Sequence, residues 1–104
     1  MTKFKLRLYI TGRTSQSQRA IDNLRTLCER DLQGAYEVDV IDVLEHPAMA
    51  EKEKILATPT LVKRLPEPVR KIIGDLSDRE KVLLGLDVEL IEKGRRLLEA
   101  IEHG

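Results

Sequence analysis

The sequence has one cysteine, no tryptophan and only three aromatic side chains among 104 residues. A lone thiol, Cys28, excludes an internal disulfide and any multi-cysteine metal site. With so few aromatic rings, the core must be built from aliphatic side chains. Net charge is missing too: 18 Lys and Arg balance 18 Asp and Glu, which argues against a nucleic-acid binder relying on a strongly basic surface. Lys3, Lys5 and Arg7 interrupt the N-terminal apolar residues, leaving neither a signal-peptide core nor a membrane span, so a cytoplasmic location is expected. There is no glycine-rich phosphate loop, and His46 and His103 have no second ligand at metal spacing. Ser15 and Ser17 have no His or Lys base placed beside them, and helix capping accounts for both. No cofactor, no metal and no enzymatic activity are expected.

What is present is periodicity. Apolar residues make up 41 % of the chain, enough for one core, so residues 1–104 read as a single domain. Phe4, Leu6, Leu8 and Ile10 alternate with Lys5, Arg7 and Tyr9 as a strand with one face committed to the core. A polar loop from Thr11 to Ser17 follows, with Ser15 and Gln18 spaced as a capping box. Ala20, Ile21, Leu24, Leu27, Cys28 and Leu32 then recur at helical spacing, and Gly34 is a stop. Tyr36 to Val43 reads as a second strand, and Pro47 suits the first turn of a short helix carrying Met49 and Ala50 inward and Glu51 to Lys54 outward. Charge is unevenly spread: six basic residues face Asp22 alone between Thr2 and Arg25, and eight acidic residues face Arg30, Lys52 and Lys54 between Glu29 and Lys54. Such a dipolar surface suits protein partners or self-association.

Thr60 to Leu65 and Val69 to Ile73 form two further strands, joined across Pro66-Glu67-Pro68, whose prolines restrict φ and remove donors. Gly74 ends the second of them, and Ser77 with Glu80 is spaced as a capping box for a last helix. Leu83, Leu86, Leu90, Gly94, Leu97 and Ile101 keep a three-or-four spacing through most of the remaining chain. That helix contains Gly85 and Gly94, each costing roughly 1 kcal/mol relative to Ala, and Asp87, a poor helix former. Gly85-Leu86-Asp87 therefore reads as a weak point.

The resulting order, βαβαββα, with Thr58-Pro59-Thr60 before the third strand, resembles the thioredoxin fold: a mixed four-stranded sheet with three helices. That resemblance implies a cis Thr58-Pro59 bond. Thioredoxin chemistry needs a low-pKa thiolate near a helix N-terminus, usually with a resolving Cys three residues away. The matching loop is Gly12-Arg13-Thr14-Ser15-Gln16-Ser17, without a thiol, and Cys28 lies on the apolar stripe. A redox or sensor domain lacking the CxxC motif is the alternative functional reading.

The strings LRLYITGRTSQSQRAI, YEVDVIDVLEHPAMAEKEKIL, ILATPTL and LPEPVRKIIGDLSDREKVLLGLD closely resemble the KaiB family of clock proteins, in one register over nearly the whole chain. The resemblance implies a non-enzymatic regulator that docks on the ATPase ring of a KaiC-type kinase and modulates its phosphorylation cycle. It also implies slow fold switching, in which the second half passes between the thioredoxin-like order and a ground-state βαββααβ order. Pro59, Pro66, Pro68, Gly85 and Asp87 are the residues matched to that switch, and the ground state forms homo-oligomers, dimers or tetramers. KaiA and a histidine kinase are further partners in the family. Residues matched to the KaiC-facing contacts are Arg19, Lys54, Lys63, Arg64, Arg70 and Lys71. Departures are Glu67 within the proline run, Glu45 where a basic residue is often found, and an end at Gly104 without the acidic tail. They are compatible with a paralogue working in a simpler timer or stress system.

Overall fold

The computed structural model describes residues 3–87. Its elements are β1 (Phe4–Ile10), α1 (Ser15–Leu27), β2 (Tyr36–Asp42), α2 (Pro47–Lys52), β3 (Thr60–Leu65), β4 (Arg70–Ile73) and α3 (Arg79–Gly85). This is the expected βαβαββα order, not the ground-state alternative. The four strands form one mixed sheet in the order β2-β1-β3-β4, with β2 parallel to β1 and β3 antiparallel to both β1 and β4. The Thr58-Pro59 bond is cis, as are Leu65-Pro66 and Glu67-Pro68.

Strand alternation divides the core between two faces. On one face Leu6, Leu8 and Ile10 of β1 meet Ala20, Leu24 and Leu27 of α1, together with Val82 and Leu83 of α3. On the other, Tyr9 and Val62 pack with Ala50 of α2, flanked by Ile41, Val43, Met49 and Ile55. A 0 % exposed Tyr9 shows that the second face is covered as well, which hides the amphipathic pattern expected of a half-solvated strand.

Helix ends depart from the sequence reading in three places. Thr14, not Ser15, caps α1: its hydroxyl accepts from the Ser17 amide at 3.0 Å, so Ser15 is already helical. Past Leu27 the helix widens into a π turn, Cys28–Leu32, closed by the Gln33 amide on the Cys28 carbonyl at 3.1 Å. Gln33 and Gly34 then have φ of +46° and +83°, the left-handed exit for which Gly34 was read as the stop. Asp78, not Ser77, caps α3, accepting from the Lys81 amide at 3.2 Å, while the Ser77 amide, the group a capping box would pair with Glu80, donates to Asp75 Oδ1 at 3.0 Å.

A further departure is length. The last described helix runs from Arg79 to Gly85 with Leu86 as its cap, and Asp87 has φ of +62°. Leu90, Gly94, Leu97, Ile101 and His103 lie outside the described residues. Gly85 has a packing reason beyond propensity: a Cβ there would lie 2.7 Å from Ile72 Cδ1, so the missing side chain lets α3 approach β4. Among the described residues no helix is long and apolar enough to cross a membrane.

Candidate functional site

The position at which thioredoxins carry their dithiol is here a polar junction. The Thr11 hydroxyl bonds to the Thr58 hydroxyl beside Pro59. One Asp42 oxygen accepts from the Gly12 amide at 3.1 Å and the Leu44 amide at 2.9 Å, stitching the loops after β1 and β2 together. Cys28 is remote from this junction and 1 % exposed. Burial, with Asp31 and Glu29 adding to it, pushes its thiol up to about 12, so the thiolate needed for exchange does not form near neutral pH.

A second polar centre gathers at the end of α2, around Glu53. Its Oε1 accepts from Tyr9 Oη at 3.0 Å and from Arg7 Nη1 at 3.2 Å, and its Oε2 lies 3.5 Å from Arg64 Nη1. Lys71 Nζ donates to the Glu53 carbonyl at 2.6 Å. Glu53 was read as pointing outward, yet its side chain is only 18 % exposed. The helix has already ended at Lys52, so the helical wheel no longer sets its direction. Burial pushes the Tyr9 phenol up, with Glu53 acting in the same direction, which keeps it a donor. The hydrogen bond to Tyr9 is the main influence holding the Arg7 guanidinium charged, against the opposing effect of burial. Arg7 Nε is buried without a partner.

The six basic residues matched to partner contacts fall in three places. Lys54, Arg64 and Lys71 surround the α2 end, and all three are exposed. Lys63 and Arg70 meet at Asp87 on the α3 face, each 3.3 Å from its Oδ2. Arg19 stands on α1, 3.5 Å from Asp75. Lys63 differs from the others in this group. Its side chain is 1 % exposed, directly behind Asp87, so in this conformation its charge is internal and is not offered to a partner. Hydrogen bonding to Lys63, aided by the charge of Arg70, holds the Asp87 carboxyl below its usual range. Asp75 is likewise lowered, chiefly by Ser77 and then by Arg19.

Beside Lys54 the surface is apolar. Leu56 is 95 % exposed and Leu44 68 %. Val43, Pro47, Ala50, Ile55 and Leu56 line an open pocket of about 560 Å³, rimmed by Glu51 and Lys54. An apolar floor with charges at its edge has the composition of a protein-docking surface. Alternation had not singled out Arg7, Tyr9 or Glu53, whose mutual contacts span 44 and 46 residues of sequence.

Comparison with known proteins bears on what this arrangement is. The "KaiB domain" family matches residues 7–88. The chain is 61 % identical over 85 residues to the "Circadian clock oscillator protein KaiB" of Gloeothece citriformis, covering 82 % of this chain and 80 % of that one. It is 57 % identical over 88 residues to the "Circadian clock protein KaiB3" of a Synechocystis species, covering 85 % and 86 %. Among solved structures it resembles the N-terminal domain of Synechococcus elongatus SasA, with a TM-score of 0.69 at 23 % identity over 83 % of this chain and 85 % of the other. Mitochondrial thioredoxin 3 of Saccharomyces cerevisiae gives 0.67 at 18 % identity, over 84 % and 79 %. These two likenesses place the backbone among thioredoxin-like folds. With a family model matching residues 7–88 and 61 % identity to a KaiB protein over 82 % of its length, this chain belongs to the KaiB family.

Proposed function

We propose that this chain is a regulatory docking protein for a KaiC-type ATPase, without catalytic chemistry of its own, serving a circadian clock or a simpler timer. The observation that carries this reading is 61 % identity over 85 residues to a protein named as a clock oscillator component. The face that docks is the end of α2, with Lys54 at the edge of the apolar pocket of Val43, Pro47, Ala50, Ile55 and Leu56, and with Arg64 and Lys71 behind it on Glu53; Arg19 and Arg70 contribute charge beyond it. The thioredoxin-like conformer is the docking form. A second conformer, rearranged throughout its second half and homo-oligomeric, is its resting store, and KaiA and a histidine kinase are the further partners of the docked form.

Backbone strain supports exchange between conformers. Leu76 and Asp87, which bracket α3, have φ of +65° and +62°, a region that costs an L-residue about 1–2 kcal/mol. Two packings of one chain exchange when they differ by only a few kcal/mol. Size-exclusion chromatography of the chain with a KaiC-type ATPase, sampled over hours, tests the reading. A slowly forming complex is the expected result, and ATPase that elutes alone at every time point and temperature would sink it.

A further inference from the structure

α2 ends in a turn that its six residues do little to hold. Lys54 occupies the left-handed region at φ +59°, where glycine is the usual residue. The Lys54 amide donates to the Glu51 carbonyl at 3.0 Å, and the Ile55 amide to the Ala50 carbonyl at 2.9 Å. A strained turn on a short helix needs support from outside. Lys71 of β4 supplies it, donating to the Glu53 carbonyl at 2.6 Å and reaching the Lys54 carbonyl at 3.5 Å. Its ammonium sits where a helix C-terminus favours a cation. Arg64 of β3 lies 3.5 Å from Glu53 Oε2, while Arg7 and Tyr9 of β1 hold Oε1.

Two of these supports come from the β3–β4 hairpin and two from β1. Without the hairpin, Glu53 keeps Arg7 and Tyr9, but the carbonyls of the turn lose Lys71. We infer that the Glu53–Lys71 hub couples the hairpin to the shape of the α2 end: Lys71 and Glu53 are positioning residues that hold Lys54, Ile55 and Leu56 in their docking conformation. The docking surface then exists only while β3 and β4 are in place. This inference rests on the docking reading above, but its structural half can be tested without any partner.

The test is amide hydrogen exchange on the free chain, followed by binding. Lys71→Met keeps the aliphatic stem and removes the ammonium. It should speed exchange of the Ile55 amide about tenfold while amides shared by β1 and β2 keep their protection. Glu53→Gln, a gentler change, should act at the same amides to a smaller extent, and it carries the test if Lys71→Met fails to fold. Unchanged exchange at Ile55 in both variants overturns the coupling. With a KaiC-type ATPase, Lys71→Met should weaken binding about tenfold, but less than about twofold further in a Lys54→Ala background. Full additivity there would make Lys71 a direct contact and would also overturn the inference. If the unaltered chain binds no such ATPase, the docking reading fails, and the exchange data still decide the coupling.

Discussion

β1 and β2 pair through seven consecutive positions, from Phe4↔Tyr36 to Ile10↔Asp42, whereas β3 and β4 pair through four, from Thr60↔Ile73 to Lys63↔Arg70. The first pair is roofed by α1, thirteen residues long with a π turn added, and the second by α3, seven residues long with a left-handed residue on either side. Where the second half meets the first, much of the fastening is polar: Asn23 to the Asp75 carbonyl, Arg19 to Asp75, Arg79 to Asp31, and the Glu53 hub. Exposed ion pairs are worth at most about 1 kcal/mol each. β3 also joins β1 through five pairs, from Lys5↔Leu65 to Tyr9↔Thr60, so the second half shares the central strand and its core with the first, and what it adds beyond them is a shorter ladder, a shorter helix and exposed polar contacts.

That contrast can be broken most forcefully in the core. Leu24 and Leu83 are both fully or almost fully buried, on α1 and α3. Each Leu→Ala change should cost about 3 kcal/mol in urea denaturation. The two should differ in where protection is lost: Leu83→Ala should speed amide exchange mainly across β3, β4 and α3. Equal loss in β1 and β2 would show that the halves are not separable.

The buried Lys63 sharpens the comparison further. Removing one partner of an ion pair is costly when the other is left buried and alone, but Asp87 is 42 % exposed and keeps Arg70, so Lys63→Met, which relieves the burial of the ammonium, should raise stability by about 1 kcal/mol. The same variant should change the acid response. Because Asp87 has a lowered pKa, its contribution is fully present above the ordinary carboxylate value of about 4 and is lost as pH falls below it. Lys63→Met removes the main cause of that lowering, and urea midpoints from pH 2 to 7 should show a flatter acid limb.

Gly85→Ala is the smallest change and the subtlest. Helix propensity gains about 1 kcal/mol, while the new methyl group must displace the Ile72 side chain, so the net shift in stability should be under about 1 kcal/mol. In an Ile72→Ala background, which lacks both Cγ1 and Cδ1, the same substitution should be more favourable by about 0.5 kcal/mol. Strict additivity would mean that Gly85 is not there to admit Ile72.

Much of the fold was legible because it is written in local rules. Phe4 to Ile10 alternate, Ala20 to Leu32 keep helical spacing, and Pro47 stands at the first residue of α2. What was not legible depends on contacts across the chain. Lys63 follows Leu61 at a two-residue step and so faces the same core, but both faces of the sheet are covered and its charge masked that signal. Glu53 lies one residue past a helix, where no period governs its direction, and its partners come from β1, β3 and β4. Ser77 and Asp78 both carry side chains that can cap a helix, and spacing alone chose Ser77, whereas the structure uses Asp78 and gives the Ser77 amide to Asp75. The candidate site was visible as a set of cations but not as three separate places.

The widened turn at Cys28–Leu32 has a consequence for phase. Each residue of an α-helix advances about 100° around the axis, so one extra residue in a turn rotates everything after it relative to everything before. Here the offset leaves Cys28 and Leu32 in the core and sets Asp31 across from Arg79. A chain shortened by one residue between Glu29 and Asp31 would recover regular α geometry and swing that carboxylate away from the guanidinium, so the irregular turn is what lets the first helix grip the last described one.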